Sequence, residues 1–137
     1  VIGLTDIFPP EKRSEIMRRI RSHGTKPELK VKALLDELGV SHVYQAEVLG
    51  WSVDFLVPDR RLVIEYRSCF WHGHGCRYSR VPKSRREYWV PKLERNRERD
   101  LRKDRELESA GYRVFVIRDC DFRERLEELA RLLAGGE

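Results

Sequence analysis

The sequence predicts an α/β fold: a central mixed β-sheet flanked by helices. Three observations predict it. Apolar residues recur at helical spacing near both ends and through a long charged stretch. Four short runs are rich in β-branched and aromatic residues. The resulting order, α-α-β-β-β-α-β-α, sets one helix between the last two strands, which suits a mixed sheet with helices on its faces. The chain has 137 residues, 40% of them hydrophobic, enough to fill a single core.

Residues 1–10 read as a loose lead-in ended by Pro9-Pro10, and 11–137 as one domain. Glu11 to Ser22 carries Ile16, Met17 and Ile20 at helical spacing. Thr25-Lys26-Pro27-Glu28 reads as a capping box that starts a second helix. Leu29, Ala33, Leu34 and Leu38 continue it, and Gly39 fits the position after its end. His42–Ala46, Ser52–Val57 and Arg61–Tyr66 read as strands, the last two joined as an antiparallel hairpin by Pro58-Asp59-Arg60. Ser84-Arg85-Arg86-Glu87 is a second capping box, and the helical pattern runs from it to Ala110, with Pro91 starting or restarting a helix. Gly111 stops it. Tyr112 to Arg118 is a buried strand. Asp121-x-x-Glu124 caps a last amphipathic helix bearing Leu126, Leu129, Leu132 and Leu133.

Charged residues make up 37% of the chain, well above the ~25% of an ordinary soluble domain. Their distribution says more than the net +5. Arg80 to Arg105 holds eleven Lys or Arg against five Asp or Glu, and Glu11 to Lys32 holds eight against three. The tail from Asp119 to Glu137 is acidic, three against six. Two basic segments and an acidic end point to a polyanionic partner. No run has the ~18 apolar residues of a membrane span, and Val1 to Pro10 lacks the order of a secretory leader. A membrane or secreted disulfide protein is therefore not expected.

The densest chemistry is Cys69-Phe70-Trp71-His72-Gly73-His74-Gly75-Cys76. Three cysteines, with Cys120 far along the chain, do not suit a disulfide framework. Cysteines beside histidines suit a zinc site in a reducing compartment. Cys69, Cys76 and Cys120 form the thiolate set, and one of His72 and His74 completes the tetrahedron. The other histidine is then a rigidly placed group with a pKa near neutrality.

Asp54 interrupts a strand-like run, Trp51 to Val57, where a carboxylate is costly unless it lies at a rim or binds a cation. Glu65 lies on the next strand, and Glu65-x-Arg67 puts two charges on one strand face. Two carboxylates on neighbouring strands are an arrangement that holds Mg²⁺ for phosphodiester hydrolysis. Glu28 is either a capping residue or part of that acidic group. Phe70, Trp71, Tyr88 and Trp89 sit in or beside basic sequence, where aromatics stack on or wedge between bases, or else cover the metal lobe as its core.

From Cys69-Phe70-Trp71-His72 outward the chain resembles the very-short-patch repair (Vsr) endonucleases, DNA mismatch nickases with a restriction-endonuclease-like core. The parts occur in family order from about Lys12 to Glu128: Arg13-Ser14-x-x-Met17, Thr25-x-x-Glu28, Val53-Asp54-Phe55, the cysteine–histidine cluster, Val81-Pro82, Tyr88-Trp89, Lys92 with Asn96, Arg99-Asp100, Tyr112-Arg113-Val114 and Cys120.

The resemblance implies structural zinc on Cys69, His74, Cys76 and Cys120. It implies Mg²⁺ on Asp54 and the backbone carbonyl of Tyr66, with Glu28 near the metal waters and His72 as general acid/base. Phe70, Trp71 and Trp89 match an aromatic wedge entering from the major groove. Met17 and Ile20 match residues of an arm, helix 11–22, approaching from the minor groove. Lys92 and Asn96 join the DNA-contacting set. The implied substrate is double-stranded DNA with a T·G mismatch, bound by a monomer in the bacterial cytoplasm, with a mismatch-repair protein as a candidate partner.

One departure stands out: Arg67-Ser68 replaces the histidine or acid followed by glycine found in many members. Arginine does not ligate Mg²⁺ but holds a phosphate bidentately, and Glu65 is a substitute ligand. Two other readings stand beside the nickase: a restriction-like or homing nuclease on matched duplex, and a catalytically weak, zinc-stapled DNA-binding module.

Overall fold

A computed structural model describes residues 26–69, 81 and 83–135. The expected lead-in, the arm at 11–22, and Met17, Ile20, Phe70, Trp71, His72, His74 and Cys76 lie outside the described residues. The described elements run in the order α1 (Pro27–Glu37), β1 (Val43–Val48), β2 (Trp51–Val57), β3 (Leu62–Arg67), α2 (Arg86–Ser109), β4 (Arg113–Arg118) and α3 (Phe122–Ala134). None of the described helices is long and apolar enough to cross a membrane.

The strands form one sheet in the order β1-β2-β3-β4. β1 and β2 pair antiparallel, as do β2 and β3. β3 and β4 are parallel, with α2 in the connection between them, because parallel neighbours require a long crossover. The sheet is therefore mixed, as the pattern of elements predicts. The β2–β3 connection is a short 3-10 turn at Pro58–Arg60. The β1–β2 hairpin is an addition to the sequence reading. Leu49 and Gly50 have φ of 53° and 84°, the double positive φ of a tight primed turn, and β1 extends to Val48 to meet it.

Two cores sandwich the sheet. On one face Phe55, Val57, Leu62, Ile64, Phe115 and Ile117 meet Val31, Leu34 and Leu35 of α1 and Leu126, Leu129 and Leu133 of α3. Each fully buried Leu, Ile or Phe contributes about 2 kcal/mol. On the other face Val48, Val53 and Val63 meet Leu107 of α2. α2 is otherwise polar: within its 24 residues only Leu93, Asp100 and Leu107 are buried. Such a helix needs polar anchors to stay docked.

The caps differ from the sequence reading. Lys26 is the N-cap of α1 and makes no side-chain cap bond, because Pro27 sets the first helical residue. Thr25 lies outside the described residues. Glu28 instead accepts a 3.3 Å hydrogen bond from the Tyr44 hydroxyl. α2 begins after Arg85, in a left-handed conformation (φ 61°), with no side-chain cap bond from Arg85, and runs straight through Pro91. Asp121 accepts from the Arg118 backbone N–H at 2.8 Å, closing the turn before α3.

Candidate active site

Side chains of an ideal strand alternate between faces. β2 breaks that rule at Asp54. Val53 belongs to the α2-side core, yet Phe55, two residues on, belongs to the opposite core. β1 breaks it at the facing position: Tyr44 packs with one core and Ala46 with the other, and Gln45 between them has φ 53°. The β1–β2 ladder pairs Tyr44 with Phe55 and Ala46 with Val53, skipping Gln45 and Asp54. The β2–β3 ladder runs only from Val57↔Leu62 to Phe55↔Ile64.

Asp54 thus lies where the pairing opens on both sides. Its Oδ2 accepts the Tyr66 backbone N–H at 2.8 Å, so a carboxylate replaces a strand carbonyl. Oδ1 takes no hydrogen bond among the described residues. Burial pushes the Asp54 carboxyl up to about 6, reinforced by the negative charges of Glu65 and Glu28. The Tyr66 N–H and Lys103 act the other way. A carboxylate poised in this way is relieved by a cation.

An open cleft of about 460 Å³ surrounds it, lined by Gly50, Trp51, Ser52, Glu65, Tyr66, Arg67, Arg99, Asp100 and Lys103. Asp54, Glu65 and Tyr66 therefore come together as the sequence implied, and Glu28 lies close enough to act on Asp54 electrostatically. Hard oxygen donors, a carboxylate beside a strand backbone, fit the needs of Mg²⁺.

Glu65 and Arg67 do share one face, toward α2, but neither presents a free group. Glu65 Oε1 accepts from Arg67 Nη2 at 2.8 Å, and Oε2 from Lys103 Nζ at 2.6 Å. Arg67 also forms a fork with Asp104, at 2.9 and 2.6 Å. Arg67 is 3% exposed and Glu65 5%. The sequence reading assigned Arg67 a phosphate and made Glu65 a substitute ligand. Here the arginine instead ties two carboxylates together and pins α2 to β3. Asp104 and Lys103 were not foreseen. One signal was available: buried Asp100 repeats at heptad spacing with Leu93 and Leu107, marking the sheet-facing side of α2 as partly charged.

Cys69 and Cys120 each stand two residues beyond the last parallel pair, Arg67↔Arg118. The Cys69 N–H donates to Asp119, next to Cys120, at 3.1 Å, so the two strand ends meet. Among the described residues no three His, Cys, Asp or Glu side chains form a ready metal cage. At the start of α2, Lys92 lies over the Tyr88 and Trp89 rings, 5.4 and 5.8 Å from their centroids, and the two rings meet edge-on. Trp89, Lys92 and Asn96 are all half-buried.

The fold resembles the catalytic domain of the homing endonuclease I-Bth0305I, with a TM-score of 0.54, 26% identity, and 81% of this chain and 92% of that one covered. With that likeness, a mixed sheet that opens around one carboxylate beside an arginine-rich helix marks the chain as a DNA endonuclease with a restriction-endonuclease-like core. Residues 5–78 match the family model for the DNA mismatch endonuclease Vsr. A type II nicking enzyme of Xanthomonas oryzae, V.XorIIP, is 44% identical over 86% of this chain and 87% of its own length. The DNA mismatch endonuclease Vsr of Escherichia coli is 35% identical over 89% and 78%. The chain belongs to the Vsr endonuclease family.

Proposed function

We propose that this endonuclease nicks one strand of duplex DNA at a T·G mismatch, of the kind left by deamination of 5-methylcytosine, and leaves a 5′-phosphate. The observation that carries the reading is Asp54, half-buried at the opening of the β2–β3 ladder and held by the Tyr66 N–H. The mismatch substrate named for the Escherichia coli relative supports the choice of DNA.

In this reading Asp54 and the Tyr66 carbonyl would hold Mg²⁺, which when bound would activate water and neutralise phosphate charge. Glu28 would accept hydrogen bonds from water in the cleft, and His72 would take the proton of the attacking water. Phe70, Trp71 and Trp89 wedge between base pairs from the major groove, Met17 and Ile20 enter from the minor groove, and Lys92 and Asn96 contact DNA. Unstacking is least costly where pairing is already imperfect, so insertion itself tests for the mismatch. The protein acts as a monomer, since a wobble pair is asymmetric and a two-fold dimer matches a palindrome.

An end-labelled duplex with one T·G pair, beside T·A and C·G controls, tests this. A nick in the T strand alone, and only with Mg²⁺, is expected. Equal cleavage of matched duplexes would instead indicate a homing-type or restriction-type nuclease, and binding without cleavage a DNA-binding module.

The adjoining strand ends support a zinc site on Cys69, His74, Cys76 and Cys120. Cys120→Ser is then expected to release zinc and lower the melting temperature, because metal binding is coupled to folding. Unchanged zinc content by atomic absorption removes Cys120 from the ligand set.

A further inference from the structure

Three cations line the cleft, and they differ in availability. Arg67 is enclosed by Glu65 and Asp104. Arg99 is exposed. Lys103 is anchored but not enclosed. From α2 its ammonium reaches the Ser52 carbonyl on β2 and Glu65 Oε2 on β3, each at 2.6 Å. It therefore bridges the two strands at the level where their ladder has opened around Asp54. An ammonium carries three protons. Two have these acceptors, and the third has no partner among the described residues. The Lys103 side chain is 12% exposed.

A phosphate entering this cleft meets the carboxylates of Asp54, Glu65 and Asp100, so it needs a fixed positive group. A donor already held in place costs no reorganisation when charge develops on the phosphoryl oxygens. We propose that Lys103 is a catalytic residue of this endonuclease: its third N–H binds a non-bridging oxygen of the phosphate at which the strand is cut. Glu65 is the positioning residue that aims it, together with the Ser52 carbonyl. The inference rests on Asp54 marking the reacting centre. In the step itself a water oxygen bonds to phosphorus as the bond to the 3′-oxygen breaks. The water gives up a proton to a base, and the leaving oxygen takes one from solvent. Lys103 keeps all three of its protons throughout.

Two measurements on the full chain decide the matter. The first is binding to the T·G duplex in EDTA over a range of salt concentrations. Lys103→Met is expected to lower the slope of log Kd against log salt by about one, the value of one lost phosphate contact. A merely structural lysine leaves that slope unchanged. The second is single-turnover nicking with Mg²⁺, expected to fall about 100-fold in Lys103→Met, as for a lost transition-state donor, and to recover in part in Lys103→Arg. Either an unchanged slope or nicking within about threefold of wild type overturns the proposal. Should Lys103→Met fail to fold by circular dichroism, Lys103→Gln, which keeps a donor for Glu65, carries both measurements. Asp54→Asn is measured alongside: if it nicks like wild type, the location of the reacting centre is wrong, whatever Lys103 does.

Discussion

Asp54→Ala is expected to abolish Mg²⁺-dependent nicking, by at least about 1,000-fold, while duplex binding and the circular dichroism spectrum stay as in wild type. In the proposed reading Asp54 is a Mg²⁺ ligand, and the size follows from losing an ion that would supply several kcal/mol of charge stabilisation. The fold survives because Asp54 lies outside both ladders: losing its bond to Tyr66 breaks no strand pair. Nicking within tenfold of wild type would remove Asp54 from the reaction.

The same residue sets a pH dependence. Its carboxyl titrates near 6 in the folded protein, against an ordinary value of 3.8. The folded state therefore binds a proton that the unfolded chain has already lost. Metal-free stability falls as pH rises through that window and stays lower above it. Asp54→Asn is expected to stabilise the metal-free protein at pH 8, by about 1 kcal/mol once solvent screening is allowed for, and to change little at pH 4. Urea midpoints at the two pH values check this. Nicking at limiting Mg²⁺ is expected to fall as pH drops below about 6, as protons compete for the carboxylate.

Arg67→Met is expected to destabilise the protein by about 3 kcal/mol, the usual cost of removing one partner from a buried ion pair. It leaves Glu65, at 5% exposure, with Lys103 alone and takes from Asp104 both hydrogen bonds of its fork with Arg67. The effect is large because α2 has few apolar contacts to compensate: Leu93 and Leu107 are its buried apolar residues. A melting temperature lower by about 10 °C is the readout. A change below about 2 °C would mean that the network is solvent-screened and that α2 is held by its apolar contacts. Arg67→Lys is expected to fall between, since a single ammonium does not reproduce the fork toward two carboxylates.

The elements themselves were legible because apolar periodicity acts locally. Phe55, Val57, Leu62 and Ile64 are buried where alternation puts them, and Leu126, Leu129 and Leu133 line the inner stripe of α3. The oddity of Asp54 was legible too, since a carboxylate inside a β-branched and aromatic run needs a reason. Of its neighbours at the site, Glu65 followed from strand pairing, and Tyr66 from the family resemblance. The Leu49-Gly50 hairpin was missed because leucine rarely adopts positive φ, so no turn signal marks it.

By itself, then, the sequence determined the order of the described helices and strands, the mixed sheet, the family, and the carboxylate at its centre. These depend on side-chain period and on residue types in a fixed order. Only the tertiary structure decided what the charges do. The ideal strand period predicts that Val53 and Phe55 share a face, and the opening of two ladders at Asp54 puts them on opposite ones. The chemistry of arginine offered Arg67 to a phosphate, whereas Asp104, 37 residues away on a crossover helix, takes its fork. Lys103 reaches the cleft by the same route. Ion pairs of this kind depend on how a helix docks across a sheet, and no local pattern encodes that distance.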